Sequence, residues 1–164
     1  CRWCDAKFTW NPKHFPPVEV DRIVERAASY PAQAIVVTGG EPSLYPLDYL
    51  TAELHRRGLA IFLETSGAHP LTGDFDWICL SPKKQQPPLA EIFPRAHELK
   101  VIVETPDDFA WAERNAERVG ERCMLFLQPE WSRYGELIPA VVEYVKRNPR
   151  WNISVQTHKF MHIP

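Results

Sequence analysis

Long apolar runs are missing from this 164-residue sequence. No uninterrupted hydrophobic stretch approaches the ~20 residues that a membrane-spanning helix needs, which argues against a membrane partner. No stretch reads as a secretory signal. A surplus of one charge sign is missing too. The 19 Lys and Arg face 21 Asp and Glu, net -2, so neither a nucleic acid nor an anionic lipid surface finds a basic face. Cysteine is sparse. Cys1 and Cys4 lie close together, whereas Cys79 and Cys123 sit far apart in apolar stretches that suggest buried thiols. That is no disulfide scaffold, and it points to a reducing, cytoplasmic compartment. Glycine is scarce beside sixteen prolines, and those prolines punctuate element ends, as in "FPPVEV" and "GGEPSLYP". There is no repeat, linker or low-complexity tract. The length therefore suggests one domain over residues 1–164.

Six short runs read as strands: 34–38, 59–64, 76–81, 99–104, 123–128 and 152–157. Most are continuously apolar and rich in Val and Ile, as in strands buried on both faces of a parallel sheet. Helical stripes separate several of them. Val20, Ile23, Val24 and Ala27 form one, and Leu47, Leu50 and Leu54 a second that Gly58 ends. Phe109, Ala112, Ala116 and Val119 form a third, and Leu137, Ile138, Val141, Val142 and Val145 a fourth. The crossovers 65–75 and 82–98 are too short and too rich in Pro and Gly for full helices. The pattern is α/β, with a parallel sheet and thinned helical crossovers.

Each strand ends in a polar or glycine-bearing cluster: "TGGEP", "ETSG", "SPK", "ET", "QPE" and "QTHK". In parallel α/β folds these carboxyl ends share one rim, and ligands bind there. Glu64 and Glu104 stand on that rim, where either could position a ligand or merely be solvated. The six histidines show no ligand-like spacing and read mostly as surface residues. His158, near the rim, is a candidate for substrate contact.

Two motifs carry chemistry. "CRWC" places two thiols on one tight turn, near enough to share a metal or a cluster. A thioredoxin-like pair would follow a strand and open a helix, and Asp5 would oppose thiolate formation there. A zinc ribbon would need a second Cys-x-x-Cys knuckle. "TGGEP" follows an apolar strand, and its glycines let a ligand approach bare backbone. Taken singly, it is also an ordinary strand–helix connection. "WNPKHFPP" (10–17) reads as a rigid loop whose aromatics pack in the core or shield a metal.

Together "CRWCD", "VVTGGEP", "LETSG", "LSPK", "LKVIVE", "LQPE" and "VQTHKFMHIP" closely resemble, in order, the 7-carboxy-7-deazaguanine synthases of the radical S-adenosylmethionine superfamily. The resemblance implies an incomplete parallel (β/α) barrel of the radical S-adenosylmethionine type. It also implies a [4Fe–4S] cluster on a Cys-x-x-x-Cys-x-x-Cys loop, with one iron open to S-adenosylmethionine. Cys1 and Cys4 match the second and third ligands. The first ligand and the first strand are expected upstream. Trp3, Cys4, Asp5 and Gly40 match positions along S-adenosylmethionine, Ser81, Pro82 and Lys83 its sugar side, and Gln128, Pro129, Glu130 and Trp131 its adenine end. Thr38 and the terminal Pro164, through its α-carboxylate, match contacts to a pterin. Ala6 stands where the family has a Thr that binds Mg²⁺, and a methyl cannot ligate a hard cation.

The implied reaction cleaves S-adenosylmethionine reductively, with an external one-electron donor. The 5′-deoxyadenosyl radical then takes hydrogen from 6-carboxy-5,6,7,8-tetrahydropterin. Ring contraction with loss of ammonia gives 7-carboxy-7-deazaguanine, on the route to queuosine. A cytoplasmic homodimer is implied as well, and no catalytic acid or base is assigned. Two rivals are a radical activase of a glycyl-radical partner and a non-catalytic or zinc-binding paralogue.

Overall fold

The structure is a computed structural model that describes residues 4, 7, 11 and 13–163. Cys1, Trp3, Asp5, Ala6 and Pro164 lie outside the described residues. In chain order the elements are α1 (Val20–Ala28), β1 (Ala34–Val37), α2 (Asp48–Arg56), β2 (Ala60–Thr65), β3 (Trp77–Leu80) and β4 (Glu98–Val103). There follow α3 (Asp107–Ala116), β5 (Met124–Pro129), α4 (Tyr134–Arg147), β6 (Trp151–Ile153) and α5 (Thr157–Phe160). Short 3₁₀ turns occupy Pro42–Leu44, Ala90–Arg95 and Trp131–Arg133.

All five strand pairings are parallel, and the spatial order β1-β2-β3-β4-β5-β6 is the order of the sequence. Among the described residues the sheet is open, with β1 and β6 at its edges. The expected incomplete (β/α) barrel is what forms. The thinned crossovers are there too: no helix joins β2 to β3, and only the 3₁₀ turn Ala90–Arg95 lies between β3 and β4. That turn inserts Ile92 and Phe93, both fully buried, where a helix would otherwise cover the sheet.

Burial alternates along the strands. In β2 Ile61, Leu63 and Thr65 are buried between less buried Phe62 and Glu64, and β4 and β5 repeat the pattern. The convex face packs on the helices, and the other face carries Glu64, Cys79, Glu98, Lys100 and Gln128. This corrects the expectation of strands buried on both faces. The apolar runs look continuous because the open face also holds Val36, Phe62 and Met124, which remain exposed. The parallel assignment stands on the hydrogen-bonded register instead.

The core has two lobes. Val24, Leu54, Ile61 and Leu63 centre one, and Leu99, Val101, Leu127, Val141 and Trp151 the other, with Leu71 packed against both. Each fully buried aliphatic side chain there contributes about 1.5–3 kcal/mol relative to exposure. Several boundaries differ from expectation, most strand ends by a single residue. The last strand ends at Ile153, because the Ser154 amide makes the final ladder bond to Leu127 (2.9 Å) and Thr157 then turns onto Val155 (3.0 Å). α3 ends at Ala116, before Val119. Cys123 is only half-buried and precedes β5, although burial still pushes its thiol up to about 11.

Candidate active site

The rim is assembled around Glu41. Gly39 leaves β1 at φ 138°, in a region that favours glycine, and the chain then reaches Glu41, which caps the 3₁₀ turn Pro42–Leu44. Glu41 Oε1 accepts from the Ser43 amide (3.2 Å), the Ser43 hydroxyl (2.7 Å) and the Thr65 hydroxyl (2.6 Å). Oε2 accepts from the Ser66 amide (2.7 Å) and the Ser66 hydroxyl. One carboxylate thus clamps the loop after β1 to the loop after β2. Burial pushes its pKa upward, but the bonds from Ser66, Thr65 and Ser43 outweigh that and hold it below the ordinary carboxyl value. The clamp frees the neighbouring backbone: a Cβ built on Gly39 or Gly40 would meet no atom within 4 Å.

The loop after β3 brings Ser81, Pro82 and Lys83. Lys83 Nζ donates to the Ser81 carbonyl (2.8 Å) and hydroxyl (2.6 Å). Burial, reinforced by the nearby Lys100 charge, lowers its pKa to about 8. Next to it, Lys84 pairs with buried Asp108 (2.5 Å). Asp108 also accepts from the amides of Glu104 (2.8 Å) and Thr105 (2.7 Å), and Arg133 donates to the Glu104 carbonyl (2.7 Å). The loops after β3, β4 and β5 are laced together in this way.

After β5, Glu130 repeats the arrangement of Glu41. It is buried and caps Trp131–Arg133, accepting from the Ser132 amide (3.0 Å) and hydroxyl (2.6 Å). Trp131 is fixed edge-on against Phe160 of α5, at 5.3 Å between ring centres, and lies under the Lys159 ammonium. The terminal segment thus joins Tyr134 of α4 in holding this ring.

These loops enclose one cavity of about 1350 Å³. Of the expected ligand contacts, Cys4, Thr38, Gly40, Ser81, Lys83, Gln128, Glu130 and Trp131 line it. Pro82 and Pro129 are buried beside their lining neighbours, so their contribution is stiffness and backbone direction. His158 and Glu64 line the cavity. Glu104 does not line it; its backbone amide and carbonyl are held by Asp108 and Arg133. Phe15 of the "WNPKHFPP" loop faces the cavity and is exposed, not packed in the core.

The cavity wall also carries Glu64 and Lys100 (2.9 Å apart), beside Cys79 and Glu98. Burial drives the Cys79 thiol far above its ordinary value, which suits a packed thiol and not a metal ligand. The bridging roles of Glu41, Ser66, Asp108 and Arg133 were missed in the sequence. A repeated Glu-x-Ser after β1 and β5 was the available signal for both capped 3₁₀ turns.

Among the described residues no three His, Cys, Asp or Glu gather as a metal site. Cys4, in the opening loop, does reach the cavity. A soft thiolate beside bare glycine backbone fits an iron–sulfur cluster that shares its open iron with an amino acid ligand.

A parallel open sheet with a cysteine-edged cavity at its carboxyl rim is the architecture of a radical S-adenosylmethionine enzyme, and the Radical SAM superfamily model matches residues 1–79. The chain is 50% identical over 164 residues to the 7-carboxy-7-deazaguanine synthase of Flavobacterium psychrophilum, covering 100% of this chain and 78% of that one. It is 42% identical over 163 residues to the enzyme of that name from Synechocystis, covering 99% and 78%. The crystal structure of QueE from Escherichia coli superposes with a TM-score of 0.74 at 26% identity, covering 95% of this chain and 80% of that one. The chain belongs to the 7-carboxy-7-deazaguanine synthase family.

Proposed function

We propose that the cavity seats S-adenosylmethionine and 6-carboxy-5,6,7,8-tetrahydropterin together, and that the chain is the lyase that forms 7-carboxy-7-deazaguanine for queuosine biosynthesis. One observation carries this reading. The ends of β1, β2, β3, β5 and β6 and the Cys4 thiol all border a single cavity. A [4Fe–4S] cluster held by Cys1 and Cys4, when bound, supplies the electron that opens S-adenosylmethionine, and the radical chemistry is the cofactor's.

The chain's own part is binding, orientation and exclusion of water. Gly39 and Gly40 let the amino acid portion of S-adenosylmethionine lie against backbone, beside Trp3 and Asp5. Ser81 and Lys83 offer a hydroxyl and an ammonium to sugar and carboxylate oxygens. Gln128, Glu130 and Trp131, with the stiffening Pro82 and Pro129, frame the adenine end. Thr38 and the Pro164 α-carboxylate take the pterin, whose parallel N–H donors suit a bidentate acceptor. Glu64 adds a second carboxylate toward the same ligand. Ala6 offers a methyl where the family threonine has a hydroxyl. Any Mg²⁺ ion would then be held by substrate, water and backbone in place of that side chain.

Residues 1–164 act as one domain in this proposal, supported by Leu71 bridging the two core lobes. An external one-electron donor, a homodimer and a cytoplasmic location complete it. The unpaired thiols Cys4, Cys79 and Cys123 suit a reducing compartment, and no helix among the described residues is long and apolar enough to cross a membrane.

Anaerobic reconstitution tests the assignment. The protein expressed from its whole gene should bind iron and sulfide stoichiometrically, and Cys4→Ala should lose that iron, since a site-open cluster needs three thiolates and the variant is one short. Full iron retained in Cys4→Ala, or a single tight zinc in the parent protein, would overturn it.

A further inference from the structure

The open face of the sheet holds an ion pair whose cation the ligand contacts above leave unused. Lys100 rises from the middle of β4 on the cavity face, with only 14% of its side chain exposed. Burying an ammonium is costly unless an anion faces it. Its partner is Glu64 on β2, where Nζ donates to Oε2 at 2.9 Å. Glu98 is the other carboxylate nearby, but it is already engaged by the Trp77 indole N–H (3.3 Å) and the Cys79 thiol (3.4 Å). Lys83, the other cation here, is directed to Ser81. Burial opposes the charge on Lys100, yet Cys79, Glu64 and Glu98 outweigh it and hold its pKa above the ordinary lysine value.

Glu64 itself is 44% exposed on its side chain and borders the cavity. Oε2 is taken by Lys100, and Oε1 has no hydrogen-bond partner among the described residues. A glutamate with this exposure would otherwise sample several rotamers, and the buried cation removes that freedom.

We propose that Lys100 is a positioning residue, which anchors one oxygen of Glu64 so that the other meets an N–H edge of the substrate. This rests on the reading of the cavity as the pterin site. Lys100 acts through Glu64, and below about pH 8, where Lys83 keeps its proton, it leaves S-adenosylmethionine affinity unchanged.

The test is anaerobic equilibrium dialysis of the iron-loaded protein, with the tetrahydropterin and S-adenosylmethionine measured separately. Lys100→Met should weaken the pterin by roughly 10–50-fold, with S-adenosylmethionine within about twofold. Lys100→Arg should recover pterin binding to within about fivefold. Glu64→Gln should match the Lys100→Met loss, and the double variant should be no more than about twofold weaker than Glu64→Gln alone. Lys100→Arg keeps the charge and Glu64→Gln the side-chain size, and both carry the test if Lys100→Met does not fold. Unchanged pterin affinity in Lys100→Met, parallel loss of both ligands, or losses that multiply in the double variant would overturn the role of Lys100. Parent protein that takes S-adenosylmethionine but no pterin would overturn the pterin-site reading beneath it.

Discussion

Lys83 shows how one buried residue makes ligand binding depend on pH. Its protonated ammonium is the form that donates to ligand oxygens, and burial with the Lys100 charge lowers its pKa to about 8. Affinity for S-adenosylmethionine should be flat below that pH and fall roughly tenfold per unit above it. Titration calorimetry across pH 7 to 9.5 checks this, and Lys83→Arg should remove the dependence. For folding the sign is opposite, because the unfolded chain holds the Lys83 proton more tightly, so that contribution to stability rises above about pH 8. Glu41 behaves in the conventional carboxylate direction. Burial raises its pKa, and the bonds from Ser66, Thr65 and Ser43 more than reverse this. Its stabilising effect is therefore present at neutral pH and lost as pH falls through its lowered value. Glu41→Gln places an amide N–H against hydroxyl and amide donors and should cost about 2–4 kcal/mol in urea unfolding. Lys83 and Ser81 could be picked out in the sequence through the family resemblance that "SPK" helps to carry. Glu41 could be seen but its role could not, since Thr65 and Ser66 lie 24 and 25 residues away.

At the scale of elements, the loop after β2 depends on one glycine. Gly67 sits at φ 70°, and a Cβ there would lie 2.6 Å from Leu80 Cδ1 and 3.1 Å from Pro88 Cβ. Leu80 is fully buried in β3, so it has little room to yield. Gly67→Ala should destabilise the protein by about 2–4 kcal/mol, read as a lower midpoint in thermal unfolding. A midpoint unchanged by the substitution would mean the loop relaxes freely. The four main helices and six strands were readable because their apolar spacing reports local burial. Two features were not. Val36, Phe62 and Met124 hid the alternation of the strands, since apolar side chains on an open cavity face look the same in sequence as core residues. The segment "SVQTHK" looked like strand, yet the ladder stops at Leu127 and the chain coils into α5. Tertiary pairing decided that, not propensity.

Across the whole molecule, binding is separated from stability by the sheet. The helices and the two core lobes occupy one face, while the other turns Glu64, Glu98, Lys100 and Gln128 to the cavity. The rim is rigid because carboxylates tie neighbouring loops: Glu41 joins β1 to β2, and Asp108 with Arg133 joins the loops after β3, β4 and β5. Such a frame holds two ligands in a fixed relation, which a reaction between bound molecules requires. The most direct measurement is anaerobic turnover by the iron-loaded protein expressed from its gene, with reductant, S-adenosylmethionine and 6-carboxy-5,6,7,8-tetrahydropterin. The account predicts 7-carboxy-7-deazaguanine and ammonia in equal amounts, followed by mass spectrometry and an ammonia assay. Cleavage of S-adenosylmethionine that leaves the pterin unchanged, in protein with its full complement of iron, would contradict it.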